Sequence, residues 1–172
     1  MSRLPVLPLE EMPEKTRNMI TGGKSQLSGL NINKMMAHAE HSVRHFMRMG
    51  NSLLTQAKLD ARLRELAILR IGFLCDSRYE WYQHEIIARQ VGVSEQQIIA
   101  VRGDIDSAVF NDQDRAVLKY TEEVTMRVKS TEESFNELSQ FLSHRELVEL
   151  TLTIGFYNMV ARFLENTGVE IE

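Results

Sequence analysis

The sequence contains little cysteine and little proline, and this scarcity excludes several kinds of small protein. Of its 172 residues, one is cysteine and three are proline. The single thiol, Cys75, cannot form an internal disulfide and has no cysteine partner for a zinc site or a CxxC redox pair. We therefore expect a hydrophobic core to stabilise the fold without metal, and we interpret Cys75 as a small buried residue in a helix.

Long apolar runs and basic stripes are also absent. No uninterrupted run of about 18 apolar residues is present, and the amino terminus, with Pro5, Pro8 and Glu10-Glu11, does not have the regions of a signal peptide. The formal net charge of −4 argues against nucleic acid as a partner. We expect a cytoplasmic protein that binds neither nucleic acid nor a membrane.

The sequence does contain a series of helical patterns and no segment that favours a strand. Apolar residues recur every three or four positions, and capping sequences such as Ser94-Glu95-Gln96-Gln97 mark helix starts. We predict an all-α fold of about seven or eight helices. Residues 1–32 are expected to form an N-terminal arm with a short helix, and residues 33–172 one helical domain.

Three helices of this domain are predicted in more detail. The first is capped by Asn33 and runs to about Gly50. The second, from residue 61 to residue 74, is apolar on nearly all faces and should be central. The third begins at Asn111 or Asp112 and has an apolar stripe that ends at Val128.

Ionisable residues around the second helix could form a proton relay. If Ser77 opens a helix, then Ser77, Glu80 and His84 are spaced by three and four residues and share one face. Glu65 could reach this cluster if its helix packs antiparallel to theirs. Alternatively, Glu80 and His84 are a solvated pair, and Glu65 forms a structural salt bridge with a nearby arginine. The candidates for that bridge are Arg62, Arg64 and Arg70.

A ladder of histidines lies on the helix that Asn33 is expected to cap. His38, His41 and His45 are three and four residues apart, so two imidazoles could in principle face one metal ion. No second helix offers a matching cluster, and we do not expect a metal. His38, which is nearest the apolar positions, is a candidate for lining a pocket.

Several segments of the sequence resemble one protein family. They are the run RLREL at 62–66, the pattern ExxxHxxxAxxxGVS at 80–94 and the run GFYNM at 155–159. These segments look like the carboxymuconolactone decarboxylase family, which includes the alkylhydroperoxidase AhpD-like proteins. The resemblance implies an AhpD-like helical bundle with the active site on a helical hairpin. It also implies a homo-oligomer, a dimer, trimer or hexamer, whose subunits complete each other's pockets.

The resemblance to the peroxidase branch fails at its two cysteines. AhpD-like peroxidases use a glutamate, a CxxC dithiol and a histidine, and in that register the cysteine positions fall on Ser77 and Glu80. Glu65 and His84 are retained. Without a thiolate and a resolving thiol, we expect no peroxidase activity of that type. Cys75 should not replace them, since two residues along a helix turn it about 200° away from Ser77.

The decarboxylase branch is the closer resemblance, because it carries a carboxylate and a histidine four residues apart. It implies a cofactor-free and metal-free acid/base enzyme, a decarboxylase or isomerase, that acts on a small carboxylated ring or lactone. The catalytic candidates are Glu65, Glu80 and His84. The candidates for binding substrate are Ser77, Tyr79, Trp81, His38, Asn158 and Arg162. The alternative is a related oligomer that has lost catalysis and binds small molecules or serves as a scaffold.

Overall fold

A computed structural model of the chain describes residues 2–22 and 29–172, and these residues are helical apart from turns and connectors. The all-α prediction is confirmed. Within the described ranges there are nine α-helices, slightly more than predicted. In chain order they are α1 (Glu14–Thr21), α2 (Asn31–Met36), α3 (Glu40–Thr55), α4 (Ala61–Leu74), α5 (Arg78–Gln90), α6 (Glu95–Ala100), α7 (Asp112–Arg127), α8 (Glu132–Leu138) and α9 (His144–Thr167).

The chain divides into two compact units. The first comprises residues 1–56 and 163–172, and the second comprises residues 57–162. The sequence suggested a domain boundary at residue 33. That boundary stays a prediction, because a compact unit is not necessarily a domain that folds by itself.

In the first unit, the helix predicted from residue 33 is two helices, and its predicted cap is wrong. Asn33 lies inside α2, which begins at Asn31, and its side chain is buried. The helix then breaks before Ala39, whose φ of −104° and ψ of 68° are not helical. At the end of α2 the backbone forms hydrogen bonds between residues three apart, as in a 3₁₀-helix. One of them is donated by Ala39 N–H to the carbonyl oxygen of Met36. Neither glycine nor proline marks this break. Part of the predicted loop, residues 23–28, lies outside the described residues.

The core of the first unit is built mainly from methionine and branched side chains. Ile20 of α1, Met36 of α2 and Val43 of α3 are buried together, with Met12 from the preceding segment. Phe46 and Met47 pack against them as partly buried residues. Val43, Phe46 and Met47 recur at helical spacing along α3, so this face of the helix lies against the core.

In the second unit, α4 is the central helix and its bounds are those predicted. Asp60 caps it by accepting a hydrogen bond from Leu63 N–H. All ten residues from 63 to 72 are buried, and α4 packs against both α5 and α7. Because charged residues are expensive to bury, each one in this stretch needs a specific partner.

A tight turn joins α4 to α5 and makes the two helices an antiparallel hairpin. Cys75 caps the end of α4, Asp76 has a left-handed φ of 51°, and Ser77 caps the start of α5. Gly72 lies at the crossing, where a Cβ would be 3.4 Å from the backbone nitrogen of Trp81. A larger side chain at Gly72 would therefore push α5 away from α4.

The remaining helix caps agree with the sequence, with two exceptions. Capping boxes at Ser94 and Asn111 begin α6 and α7 as predicted. The capping sequence Ser130-Thr131-Glu132-Glu133 predicts a cap at Ser130, but Thr131 caps α8. Val128 does not extend the apolar stripe of α7, because it is the left-handed C-cap and is 89% exposed. A β-branched residue rarely takes this conformation, which is why a periodic pattern misplaces it.

The last helix, α9, is long and apolar enough to cross a membrane by length and composition alone. Of its most apolar stretch, 44% is buried inside the protein. The buried part includes Leu150, Ile154 and Ala161. Val148, Leu152 and Met159, which are spaced along one face, are nevertheless substantially exposed.

Candidate active site

The carboxylate of Glu65 on α4 bonds to the imidazole of His84 on α5. Oε2 of Glu65 lies 2.7 Å from Nδ1 of His84, and the two residues are 0% and 6% exposed. The other carboxylate oxygen, Oε1, accepts a hydrogen bond from Nε of Arg64 at 2.9 Å. Both oxygens of a buried carboxylate are thus satisfied, as burial requires. The predicted approach of Glu65 to His84 is confirmed.

The choice of arginine is also settled by the structure. Arg62 bonds to Asp114 of α7, and Arg70 bonds to the carbonyl of Val101 and to Glu122. The hydrogen bond that Arg62 donates to Asp114 raises the pKa of Arg62 above its usual value, against the opposing effect of partial burial. Arg64 is therefore the arginine that pairs with Glu65. The salt-bridge alternative and the relay coexist, because they use different oxygens of one carboxylate.

Glu80 adds a second buried carboxylate to the same hairpin. It is 2% exposed and lies one turn before His84 on α5. The interpretation of Glu80 and His84 as a solvated surface pair is wrong, since both side chains are inside the protein. Two acidic residues and a histidine are therefore buried on two adjacent helices, and Arg64 bonds to one of the acids.

Tyr157 of α9 is a part of this cluster that the sequence analysis missed. Its ring meets the His84 ring edge to face, with 4.7 Å between centroids and 87° between planes. Burial, followed by the charges of Glu65 and Glu80, raises the pKa of Tyr157 well above its usual value of 10. Its hydroxyl therefore stays protonated. In the sequence analysis Tyr157 appears only within the run GFYNM at 155–159, and no role for its side chain could be read from that run.

Ser77 opens α5 as predicted, but its side chain does not cap the helix. The residue is 1% exposed, and its carbonyl accepts from Trp81 N–H. Its Oγ has no hydrogen-bond partner among the described residues. A buried hydroxyl without a partner is costly, and such groups in native proteins call for an explanation such as a ligand or a water molecule.

Cys75 differs from its predicted setting. It is the C-cap of α4 and only partly buried, so it is not a buried residue within a helix. The argument that a helix turns it away from Ser77 does not apply either, because the left-handed Asp76 separates the two helices. Its Sγ lies 3.9 Å from Oδ1 of Asn158.

Asn158 and Arg162, two predicted substrate residues, bond to each other on α9. Nη1 of Arg162 donates to Oδ1 and to the carbonyl of Asn158. The amide of Asn158 donates to Thr125 Oγ1 and to the carbonyl of Ile154. The Asn158 side chain is therefore held in a fixed orientation, and the Arg162 guanidinium reaches solvent.

The two aromatic candidates near the start of α5 have different environments. Tyr79 is 4% exposed. Trp81 is half-buried, and the guanidinium carbon of Arg102 lies 4.0 Å from its ring centroid. The indole Nε1 is buried and finds no acceptor in the described ranges.

The histidine ladder lies in the first unit. His38 is exposed, and its Nε2 is 2.8 Å from the carbonyl oxygen of Pro5. His41 and His45 are exposed on α3, whereas His38 lies in the break before that helix. No group of three or more His, Cys, Asp or Glu residues converges as a metal site would require, within residues 2–22 and 29–172.

The fold is that of the AhpD-like proteins. The chain superposes with a TM-score of 0.86 on an alkylhydroperoxidase AhpD core, an uncharacterized peroxidase-related protein from Ralstonia eutropha JMP134. That match has 19% identity and covers 99% of this chain and 92% of the other. A protein of unknown function from Agrobacterium tumefaciens, ATU0492, whose suggested role is that of the antioxidant defence protein AhpD, matches at a TM-score of 0.74 with 24% identity. It covers 79% of this chain and 94% of its own.

A third structure of this fold is that of an enzyme with a named ligand. A cysteine-to-alanine variant of the debrominase Bmp8, in complex with 2,3,4-tribromopyrrole, matches at a TM-score of 0.79 with 16% identity. It covers 100% of this chain and 94% of the debrominase. At these identities the structural matches establish the fold alone.

Residues 40–123 match the family model of the carboxymuconolactone decarboxylase family. Over this range, which is just under half of the chain, the sequence is similar to that family. The matched range contains Glu65, Ser77, Glu80 and His84, but not Tyr157. No curated protein sequence matches the chain significantly.

Proposed function

We propose that the protein is a cofactor-free, metal-free acid/base enzyme of the decarboxylase or isomerase type. Its substrate is a small carboxylated ring or lactone compound. The observation that carries this proposal is the 2.7 Å contact between Glu65 and His84 in a buried site. Burying two acids and a histidine costs stability that apolar residues would not, and such clusters are typical of functional sites.

The contacts of Glu65 define the tautomer of His84. A carboxylate can only accept hydrogen bonds, and the Arg64 guanidinium holds Glu65 as an acceptor at Oε1. Nδ1 of His84 therefore carries a hydrogen and donates it to Oε2, which leaves Nε2 as the atom that exchanges a proton. Tyr157 packs against the ring and restricts its rotation. These contacts fix the orientation of the His84 ring and leave Nε2 as the nitrogen that takes part in proton transfer.

For a β,γ-unsaturated lactone acid, the reaction needs one proton and no other reagent. The C–C bond to the carboxylate breaks, CO₂ leaves, and the electron pair of that bond becomes a dienolate. A proton then adds to the far end of the dienolate, either from Nε2 of His84 in its imidazolium form or from the acid form of Glu80, so that the product is the decarboxylated lactone with a new C–H bond at that carbon. Isomerisation uses the same two groups, one to remove a proton and the other to return it. A positioned acid or base contributes about 10²–10⁴-fold to such rates.

Ser77, at the turn that joins α4 to α5, is a candidate for binding substrate. Its buried Oγ has no partner among the described residues and can donate to a substrate oxygen. Tyr79, Trp81, Asn158 and Arg162 remain candidates for holding the substrate carboxylate or ring. His38 lies in the other compact unit and is the candidate with the least support.

A homo-oligomer in the cytoplasm is part of the proposal. Large apolar side chains are substantially exposed on three helices of the second unit, and a second subunit would cover them. They are Phe73 of α4, Tyr82 and Ile86 of α5, and Val148, Leu152 and Met159 of α9.

The second candidate function is a binding or scaffold oligomer without catalysis. It is favoured by one sequence fact, the absence of the CxxC dithiol from the two positions on α5 where AhpD-like relatives are expected to have it. A protein that has lost the dithiol can keep its pocket and bind small molecules without catalysing a reaction. Turnover distinguishes the two candidates.

A ligand screen followed by turnover assays tests the proposal. Small carboxylic acids and lactones are screened by thermal shift, since a ligand that binds the native state raises the unfolding temperature. Hits are assayed for CO₂ release and isomerisation with the wild type, His84→Ala and Glu80→Gln. His144→Ala, which changes an exposed histidine on α9, is the control. Turnover that survives in His84→Ala contradicts the mechanism, and tight binding without turnover in any hit supports the scaffold alternative.

A further inference from the structure

A groove runs between α1 and α3 in the first unit. One part, of about 430 Å³, is lined by residues that include Lys15 and Met19 of α1 and Arg44 of α3. An adjoining part, of about 550 Å³, shares Met19 and Arg44 and continues along α3 past Arg48 to Gln56. We call these two parts together the α1–α3 groove. Its size is that of a site for a small organic molecule.

The charged lining of this groove is mostly basic. Lys15, Arg44 and Arg48 are permanent cations, and two imidazoles, His41 and His45, lie beside them. The lining contains one carboxylate, that of Glu40. None of the three permanent cations forms an ion pair in the part of the chain that the structure describes, although Arg62, Arg70, Arg89, Arg115 and Arg145 all do. In a protein of net charge −4, this is a concentration of unneutralised positive charge.

The groove also has an apolar component. Met19, Met47 and Met49 line it between the cationic groups. Methionine is flexible and polarisable, so it can adapt to an alkyl or ring surface. Guanidinium groups bind the oxygens of phosphate and carboxylate groups by paired hydrogen bonds. A ligand that satisfies both kinds of lining has an anionic head and an apolar body.

We propose that the α1–α3 groove binds a small amphiphilic oxyanion, a phosphate or carboxylate group attached to a short apolar chain or ring. None of the residues that carry this proposal belongs to the acid/base cluster, so the groove does not depend on the proposed reaction. The head group would contact Arg44 together with Lys15 or Arg48. The apolar body would lie on Met19 and the neighbouring methionines.

A binding titration with defined probes tests this site. Hexyl phosphate, hexanoate and inorganic phosphate are titrated into ¹⁵N-labelled full-length protein, and amide shifts are followed by NMR. We expect hexyl phosphate or hexanoate to bind with a Kd on the order of 0.1–1 mM, as suits a ligand of about ten heavy atoms. The shifts should concentrate on α1 and α3. Arg44→Gln should weaken binding about tenfold, because it removes a charge-assisted hydrogen-bond donor.

Three results would overturn the proposal. The first is the absence of saturable shifts with either hexyl compound. The second is equal weakening by Arg44→Gln and by the control Arg127→Gln, which changes an exposed arginine on α7. The third is binding of inorganic phosphate as tight as that of hexyl phosphate, which would show that the apolar lining contributes nothing to the affinity. Vesicles of phosphatidylglycerol and phosphatidylcholine are a separate arm. Binding to these vesicles without binding of the soluble probes would assign the groove to a membrane surface instead.

Discussion

The guanidinium Nε of Arg64 and the carboxylate Oε1 of Glu65 form a 2.9 Å ion pair between sequence neighbours. The two side chains are 6% and 0% exposed. Neighbours on a helix point about 100° apart, so this contact requires the long arginine side chain to fold back along α4. Arg64 therefore holds the carboxylate that contacts His84 against α4, the helix to which both Arg64 and Glu65 belong.

Arg64→Met is expected to destabilise the protein strongly. The variant leaves Oε1 of the buried Glu65 carboxylate without its donor, and breaking a buried ion pair typically costs about 3–5 kcal/mol. Urea unfolding at neutral pH measures this loss. Arg145→Met, which changes an exposed arginine paired with the partly buried Glu149 on α9, is the control and should change stability by less. Similar losses in both variants would contradict the buried-pair interpretation.

Glu65→Gln is expected to reduce turnover on any substrate found by the screen. The amide keeps the shape of the carboxylate, but its nitrogen can donate to Nδ1 and favour the wrong tautomer of His84. A comparable change in a serine protease triad costs about 10⁴-fold, and we expect about 10²–10⁴-fold here. The measurement is kcat over a pH range. An unchanged kcat in Glu65→Gln would show that Glu65 does not orient the base.

Tyr157→Phe should change how stability depends on pH at the alkaline end. The pKa of Tyr157 is raised in the folded protein by burial, followed by the charges of Glu65 and Glu80. The neutral hydroxyl therefore contributes stability that is fully present below the unfolded pKa of about 10 and is lost as pH rises above it. Unfolding free energies between pH 8 and pH 10.5 should fall more steeply in the wild type than in the variant. Parallel slopes would contradict the assignment.

Glu149→Gln should lower stability at neutral pH and have little effect at pH 3. Partial burial would raise the pKa of Glu149, but hydrogen bonds from Arg145 and from the amides of Leu59 and Lys58 outweigh it and lower the pKa. The stability from this carboxylate is present above its unfolded pKa and is lost as pH falls through the folded one. Acid unfolding curves check this, with the exposed Glu165→Gln as control. A constant difference at all pH values would be evidence against it.

Ser77→Ala should leave stability within about 0.5 kcal/mol of the wild type, because the variant removes a buried hydroxyl that has no partner among the described residues. If the hydroxyl binds substrate, KM should rise or kcat should fall in the same variant. Urea unfolding and steady-state kinetics separate the two effects. A loss of stability above about 2 kcal/mol would mean that Oγ has a structural partner after all.

The parts of the structure that the sequence predicted are those that depend on local patterns. The bounds of α4, the capping box of α6 and the start of α7 at Asn111 follow from periodicity and from side chains that bond to their own helix end. The contact of Glu65 with His84 was also predictable, because a short connection between two helices makes them antiparallel.

Other features depend on contacts that a sequence pattern does not contain. The break between α2 and α3 occurs at Ala39, where no residue type signals it. Tyr157 reaches His84 from a helix about 70 residues further along the chain, and periodicity assigns it only to an apolar face. Cys75 was misplaced because a three-residue turn between two helices resembles a continuous helix in the sequence.

The position of Trp81 gives the protein an internal optical probe. It is the only tryptophan in the chain, it follows Glu80 directly, and the Arg102 guanidinium lies against its ring. Emission excited at 295 nm therefore comes almost entirely from one indole on the helix that carries His84. A ligand that enters the hairpin site and displaces Arg102, or bonds to the buried Nε1, should shift this emission. Occupancy of the site can thus be followed in unlabelled protein.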